Sequence, residues 1–244
     1  MSKVAIVTGA SRGIGASIAK RLAADGISVV VNYTARPADA ERVVRDIIDA
    51  GGQAYAVLAD ISDSVAVEAL FDQAEVKFGG IDILINNAGV IQPGMVNLAD
   101  SDDALYQKIF AINTKGTFNT LRLAARHLRD GGRIVNFSTS VVGLALPGYS
   151  VYAASKAAVE SFTAIFAKEL RGRNICVNAI APGPTATELF LGGKTSEQVE
   201  RLARQPPLER LGTPEDIANV VAFLVSEQGG WVNGQTLRVN GGIV

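Results

Sequence analysis

Short apolar runs rich in β-branched residues alternate with segments of helical periodicity along the whole chain. The runs fall at 3–7, 27–32, 53–58, 81–86, 132–138, 174–180 and 235–239. The helical patterns fall at 14–25, 37–50, 64–78, 102–127, 151–171 and 214–226, with a shorter one near 196–203. A strand apolar on both sides must be covered on both sides. The alternation therefore predicts an α/β fold, one doubly wound parallel sheet of seven strands with helices on each face. Its switch point is expected between the first and fourth strands, with ligand groups gathered at the strand C-terminal ends. No Pro/Gly/Ser-rich linker, charge block or internal repeat interrupts residues 1–244, so a single domain is expected.

The first strand runs straight into TGASRGIG, with glycines at Gly9, Gly13 and Gly15. IGASIAKRLAADG follows, with Ile14, Ile18 and Leu22 on one helical face and Gly26 as a stop. Strand, glycine turn and helix bring backbone N–H groups and a helix N-terminus against a pyrophosphate. The spacing is G-x-x-x-G-x-G, not the commoner G-x-G-x-x-G.

Tyr152 and Lys156 stand four residues apart in YAASK, so a helix puts both on one face. A Tyr hydroxyl titrates at about 10 unaided. A neighbouring ammonium is expected to favour its phenolate and lower that value. An isolated Tyr-x-x-x-Lys is more often surface decoration, and the rest of the chain decides otherwise.

TGASRGIG at 8–15, NNAG at 86–89, Asn113 in AINTKG, YAASK at 152–156 and NAIAPGPTATEL at 178–189 occur in one order along the chain. In that order and at those distances the chain resembles the short-chain dehydrogenase/reductase family, over essentially its full length. Among subgroups it is most similar to bacterial 3-oxoacyl-ACP reductases and related carbonyl reductases. The resemblance implies a single Rossmann-type domain and a hydride transfer to a ketone or 3-oxoacyl carbonyl. Tyr152 would donate the proton. Lys156 would tune Tyr152 and hold the nicotinamide ribose, and Asn113 would hold a water on a proton path to Lys156. The family also places a hydroxyl at the end of the fifth strand to polarise the carbonyl. In GRIVNFSTSVVG, counting back 13 residues from Tyr152 selects Thr139, and the Ser-x-x-Gly pattern selects Ser140. Ser138 is a third candidate, and the motif match favours Ser140.

Cofactor contacts implied by the resemblance are Gly9, Ser11, Arg12, Gly13, Ile14, Gly15, Asn32, Tyr33, Thr34, Arg36, Asp60, Ile61, Asn87, Ala88, Gly89, Pro182, Gly183, Thr185 and Thr187, with Tyr152 and Lys156. NAD-preferring members end the second strand with an acid. Here VVVNYTAR places neutral Asn32 there, with no acid before Asp39 and with Arg12 and Arg36 nearby. An adenosine 2′-phosphate carries about −1.5 to −2 charges, which guanidinium groups bind bidentately. NADP(H) is therefore the expected cofactor. Asp60 matches the position that binds the adenine amino group, unless it caps the helix at 64–78. Segment 188–212 is expected to be a substrate lid, with Leu189, Phe190 and Leu191 facing Leu144, Leu146 and Tyr149 across an apolar pocket. Arg129 and Arg173 lie near positions used to grip an acidic acyl carrier protein.

A net charge of −1 argues against nucleic acid or an anionic membrane as partner. No signal peptide or membrane-span pattern is seen, so a cytoplasmic enzyme is expected. One Cys and one His leave no ordinary zinc site, and no metal is expected. Cys176 reads as a buried thiol and His127 as a helix-end residue. The C-terminal GQTLRVNGG resembles the segment through which family members pair into homotetramers. The alternatives are a small-ketone or aldehyde carbonyl reductase or alcohol dehydrogenase that meets no carrier protein, and an NADP-sensing binding protein without turnover. A sensor has no need for a Tyr-Lys-Asn relay.

Overall fold

The computed structural model describes residues 2–244. Strands β1 (Val4–Val7), β2 (Ser28–Tyr33), β3 (Ala54–Leu58), β4 (Ile81–Asn86), β5 (Leu128–Phe137), β6 (Cys176–Pro182) and β7 (Thr236–Val239) form one sheet. Its order is β3-β2-β1-β4-β5-β6-β7 and every pairing is parallel. The chain winds one way from β1 and the other way from β4, so the switch point lies between them, as expected.

The helices are α1 (Gly13–Ala24), α2 (Pro37–Asp49), α3 (Ser64–Phe78), α4 (Asp103–Phe110), α5 (Gly116–His127), α6 (Val141–Leu144), α7 (Ser150–Glu169), α8 (Glu188–Leu191), α9 (Ser196–Ala203) and α10 (Pro214–Val225). Alternation within β1 shows how the layers form. Ala5 and Val7 pack with Ile18 and Leu22 of α1, Val43 of α2 and Ile217 of α10. Ile6 between them packs with Leu70 and Phe71 of α3 and Leu121 of α5. Each such buried aliphatic side chain stabilises the fold by roughly 1.5–3 kcal/mol.

Local signals set the helix starts. Asp63 caps α3 by accepting from Val65 N, while α9 and α10 begin with capping boxes, Thr195/Gln198 and Thr213/Asp216. The pattern at 102–127 is interrupted: a π-helical turn, Ala111–Lys115, separates α4 from α5. Such widened turns recur at functional sites. Two contacts accompany it here. Asn113 reaches across to Val90, and Gly116 lets α5 press on Ile61, where a Cβ would lie 2.6 Å from the Ile61 Cδ1. Strand β5 starts earlier than its apolar run, because Leu128 pairs with Ile81 ahead of an irregular register.

Candidate active site

The glycine turn after β1 is a backbone structure held by two side-chain amides, Asn32 buried and Asn87 half-buried. Gly9 and Gly13 have φ of +61° and +56°, a region that disfavours a Cβ. At Gly15 a Cβ would lie 2.5 Å from both Asn87 Nδ2 and the Gly9 carbonyl oxygen. Asn87 Nδ2 donates to the carbonyls of Thr8 (2.8 Å) and Gly9 (3.1 Å), and Ala88 N donates to Thr8 Oγ1 (3.0 Å). Arg12 occupies the N-cap of α1 without a side-chain cap, so the first-turn N–H groups are not taken by it. A bare helix N-terminus beside Cβ-free backbone fits a pyrophosphate group.

Several expected contact residues are spent elsewhere. Asn32 is buried; its Oδ1 accepts from Gly9 N (3.2 Å) and its Nδ2 donates to the carbonyls of Val57 (3.3 Å) and Ala59 (3.0 Å). It fastens the glycine turn to β3 and offers no free polar atom to a ribose. The Ile61 side chain belongs to the core and its carbonyl accepts from Asn119, which leaves no side-chain role in binding. Thr34 Oγ1 donates to Ala59 O (3.3 Å), and the Tyr33 ring packs on the core. Asp60 is not the helix cap: Asp63 is, and Asp60 turns one oxygen to Ser62 while staying exposed at the end of β3. Ser11 is buried within the turn, and Ile14 packs partly on the core. Gly183 follows Pro182 at the end of β6, so close to Asn240 that a Cβ would meet its Cα at 2.8 Å. Thr185 Oγ1 donates to Gly183 O, and Thr187 lies over Gly13.

Tyr152 and Lys156 share α7, but Lys156 does not face Tyr152 as a simple charge partner. Its Nζ is buried and donates to Phe137 O at 2.8 Å, and burial lowers its pKa to about 8. Burial raises the Tyr152 phenol above its ordinary value, the Thr139 hydroxyl beside it opposes that rise, and Tyr149 adds to it. The expected lowering of Tyr152 by Lys156 is thus replaced by a neutral phenol held next to a hydroxyl. Asn113 is fully buried in the π turn. Its Oδ1 accepts from Val90 N (2.8 Å), and its Nδ2 donates to Val90 O (2.9 Å) and Ser155 Oγ (3.1 Å). Gly89 brings these groups together: a Cβ there would sit 3.2 Å from both Asn113 Oδ1 and Lys156 Nζ.

The three hydroxyls ending β5 go to three places. Ser138 Oγ donates to Glu160 on α7. Ser140 Oγ donates to Ala181 O (3.1 Å) and accepts from Asn240 Nδ2 (3.0 Å). Of the three, only Thr139 acts on the Tyr152 phenol, as the hydroxyl that opposes its rise. The structure thus turns Ser140, favoured by its local pattern, away from the phenol toward β6 and the C-terminal segment.

A family model described as enoyl-(acyl carrier protein) reductase matches residues 9–244. A short-chain type dehydrogenase/reductase from Picea abies is 46% identical, covering 99% of this chain and 92% of its own. The chain belongs to the short-chain dehydrogenase/reductase family. An NADPH-dependent aldehyde reductase-like protein, chloroplastic, from Arabidopsis thaliana is 44% identical, over 99% of this chain and 94% of its own. A short chain dehydrogenase from Burkholderia cenocepacia, solved in complex with NADP, superposes with a TM-score of 0.92 at 39% identity, covering 99% of this chain and 97% of that one. As a short-chain dehydrogenase/reductase, the protein is an oxidoreductase working between carbonyl and hydroxyl groups. No helix among the described residues is long and apolar enough to cross a membrane.

This short-chain dehydrogenase/reductase has neighbours of the candidate site that sequence reasoning passed over. Glu188 pairs with both Arg12 and Arg36, a contact invisible without the fold. Asn240 holds Ser140 from 100 residues away. Gln92 is buried and donates to Gly148 O, linking the NNAG segment to the loop before α7. The two arginines considered for a carrier protein are tied down. Arg129 bonds to Asp82 and Gly79 O, and Arg173 bonds to Asp130, Ala125 O and Leu128 O.

Proposed function

We propose that the protein is an NADPH-dependent reductase of small-molecule aldehydes and ketones. The observation that carries the reading is the convergence of Thr139, Tyr152 and buried Lys156 at the end of β5, beside a glycine cradle suited to a dinucleotide. NADPH, when bound, supplies the hydride. The glycine turn and the N-terminus of α1 hold its pyrophosphate, and Arg12 and Arg36 hold its 2′-phosphate. Tyr152, kept protonated by its raised pKa, donates its proton to the carbonyl oxygen as negative charge develops there. Thr139, not Ser140, donates a hydrogen bond to the same oxygen. Lys156 supplies positive charge below the site, and Asn113 holds the Gly89–Val90 backbone in place. The arginine engagements described above favour small carbonyl compounds over a carrier-bound acyl chain. The family model's own description favours the carrier-bound reading, so both belong in one assay.

The test is NADPH oxidation, with NADH in parallel, against aldehydes, simple ketones, ethyl acetoacetate and acetoacetyl-CoA. Tyr152→Phe should lose about 10²–10⁴-fold in kcat. Thr139→Ala should lose activity where Ser140→Ala loses mainly stability. Activity surviving in Tyr152→Phe would overturn the proton-donor assignment. Turnover confined to acyl thioesters would return the carrier reading to first place.

A further inference from the structure

Helix α8 opens with Glu188 at the start of the expected lid. Both of its carboxylate oxygens lie 3.1 Å from Arg36 Nη1, and one lies 3.5 Å from Arg12 Nε. One protein carboxylate therefore spans the two guanidinium groups assigned above to the 2′-phosphate. Among the described residues Glu188 has no other cationic partner, whereas Asp39 divides itself between Arg36 (3.8 Å) and Arg42 (2.9 Å).

Two further features single out this contact. Arg36 has φ +61° and ψ 64°, left-handed backbone in a side-chain-bearing residue directly before Pro37. Such strain persists only where surrounding structure enforces it, and it is a recurring mark of ligand clamps. The second feature is position: Glu188 directly follows Thr187, whose side chain covers Gly13 of the cofactor turn. The same short stretch thus touches both the glycine turn and the arginine pair.

The relative strengths suit an exchange. The three side chains are exposed, at 45% for Arg12, 50% for Arg36 and 63% for Glu188, and such pairs are weak. A phosphate brings about −1.5 to −2 charges and three acceptor oxygens against a carboxylate's single charge and two oxygens. It can replace Glu188 on the arginines. A cofactor lacking that phosphate has nothing with which to replace it.

We propose that Glu188 is a built-in competitor of the 2′-phosphate: it holds Arg12 and Arg36 until the phosphate displaces it, and its displacement releases α8 from the cofactor site. The proposal rests on the assignment of Arg12 and Arg36 under Proposed function. Calorimetric titration of wild type, Glu188→Gln, Arg36→Gln and the double variant with NADPH, NADH and 2′,5′-ADP tests it. Glu188→Gln should bind NADPH and 2′,5′-ADP about two- to tenfold tighter, with NADH unchanged. The gain should shrink in the Arg36→Gln background and with added salt. In the cofactor-free protein, trypsin should cut after Lys194 faster in Glu188→Gln than in wild type. If Arg36→Gln binds NADPH as tightly as wild type, the phosphate assignment falls and the latch with it. If Arg36→Gln loses NADPH affinity but Glu188→Gln gains none, the assignment stands and the latch is overturned. Unchanged cleavage after Lys194 would overturn the release of α8.

Discussion

The glycine turn and the segment proposed as a lid lie side by side, with Thr187 over Gly13, and are built in opposite ways. The turn is backbone, pinned by a buried and a half-buried amide: Asn32 and Asn87 between them make five hydrogen bonds of 3.3 Å or less to main-chain atoms. The lid carries Leu189 and Leu191 in solvent and is tied to the turn by one exposed carboxylate. A buried polar group left without its partner costs about 1–3 kcal/mol, whereas an exposed ion pair contributes roughly 0–1 kcal/mol. The contrast agrees with the proposed reading of one side as a fixed cradle and the other as a closing cover.

The strongest blow to this contrast is Gly15→Ala. Its Cβ would overlap Asn87 Nδ2 and the Gly9 carbonyl at 2.5 Å, and overpacking of this kind typically costs about 1–3 kcal/mol. Thermal unfolding should show a lower Tm, and calorimetry should show NADPH binding abolished. Wild-type binding in this variant would mean the turn is not a rigid cradle.

Next comes Asn32→Ala, which orphans Gly9 N and takes one donor each from the Val57 and Ala59 carbonyls. A loss of about 1–3 kcal/mol is expected in urea unfolding, with weaker binding of NADPH and NADH alike. Selective loss of NADPH alone would instead show that Asn32 reads the phosphate.

The pH profile probes the catalytic end. Lys156 titrates at about 8 in the folded chain against 10.5 ordinarily, so its charge disappears as pH rises through about 8. Tyr152, raised above its ordinary value, stays protonated there. Reduction should therefore decline above about pH 8, and the break should vanish in Lys156→Met. The same burial leaves the unfolded chain holding a proton that the folded chain lacks between those two values. This group's contribution to stability thus rises with pH over that interval. Urea titrations at several pH values would check the sign by comparing wild type with Lys156→Met.

The smallest effect is expected at the lid. Leu189→Ala, at a side chain 57% exposed, should leave unfolding within about 0.5 kcal/mol of wild type. It should change KM for carbonyl substrates while leaving NADPH affinity alone. A large fall in stability would show the lid to be a structural element rather than a cover.

The alternation of apolar runs and helical patterns was enough to predict the sheet, its parallel pairing and its two covered faces, because burial on both sides is written into each run. The glycine turn was equally legible, since its backbone demands glycine at particular places. So was the placing of Tyr152 and Lys156 on one helix, which needs only local spacing, although the charge pairing expected of them is not what the fold makes. Tertiary structure alone decided the rest. Ser138, Thr139 and Ser140 share a chemistry and differ only in direction, and their partners arrive from two other segments, Glu160 and Tyr152 from α7 and Asn240 from the C-terminal segment. Asn32 sits where a ribose contact is expected, yet β3 and Gly9 claim its amide. Glu188 meets Arg36 across 152 residues of sequence. Periodicity and backbone demands act over a few residues and can be read in order. The choice of partner for a polar side chain depends on which distant segments the packed sheet brings beside it.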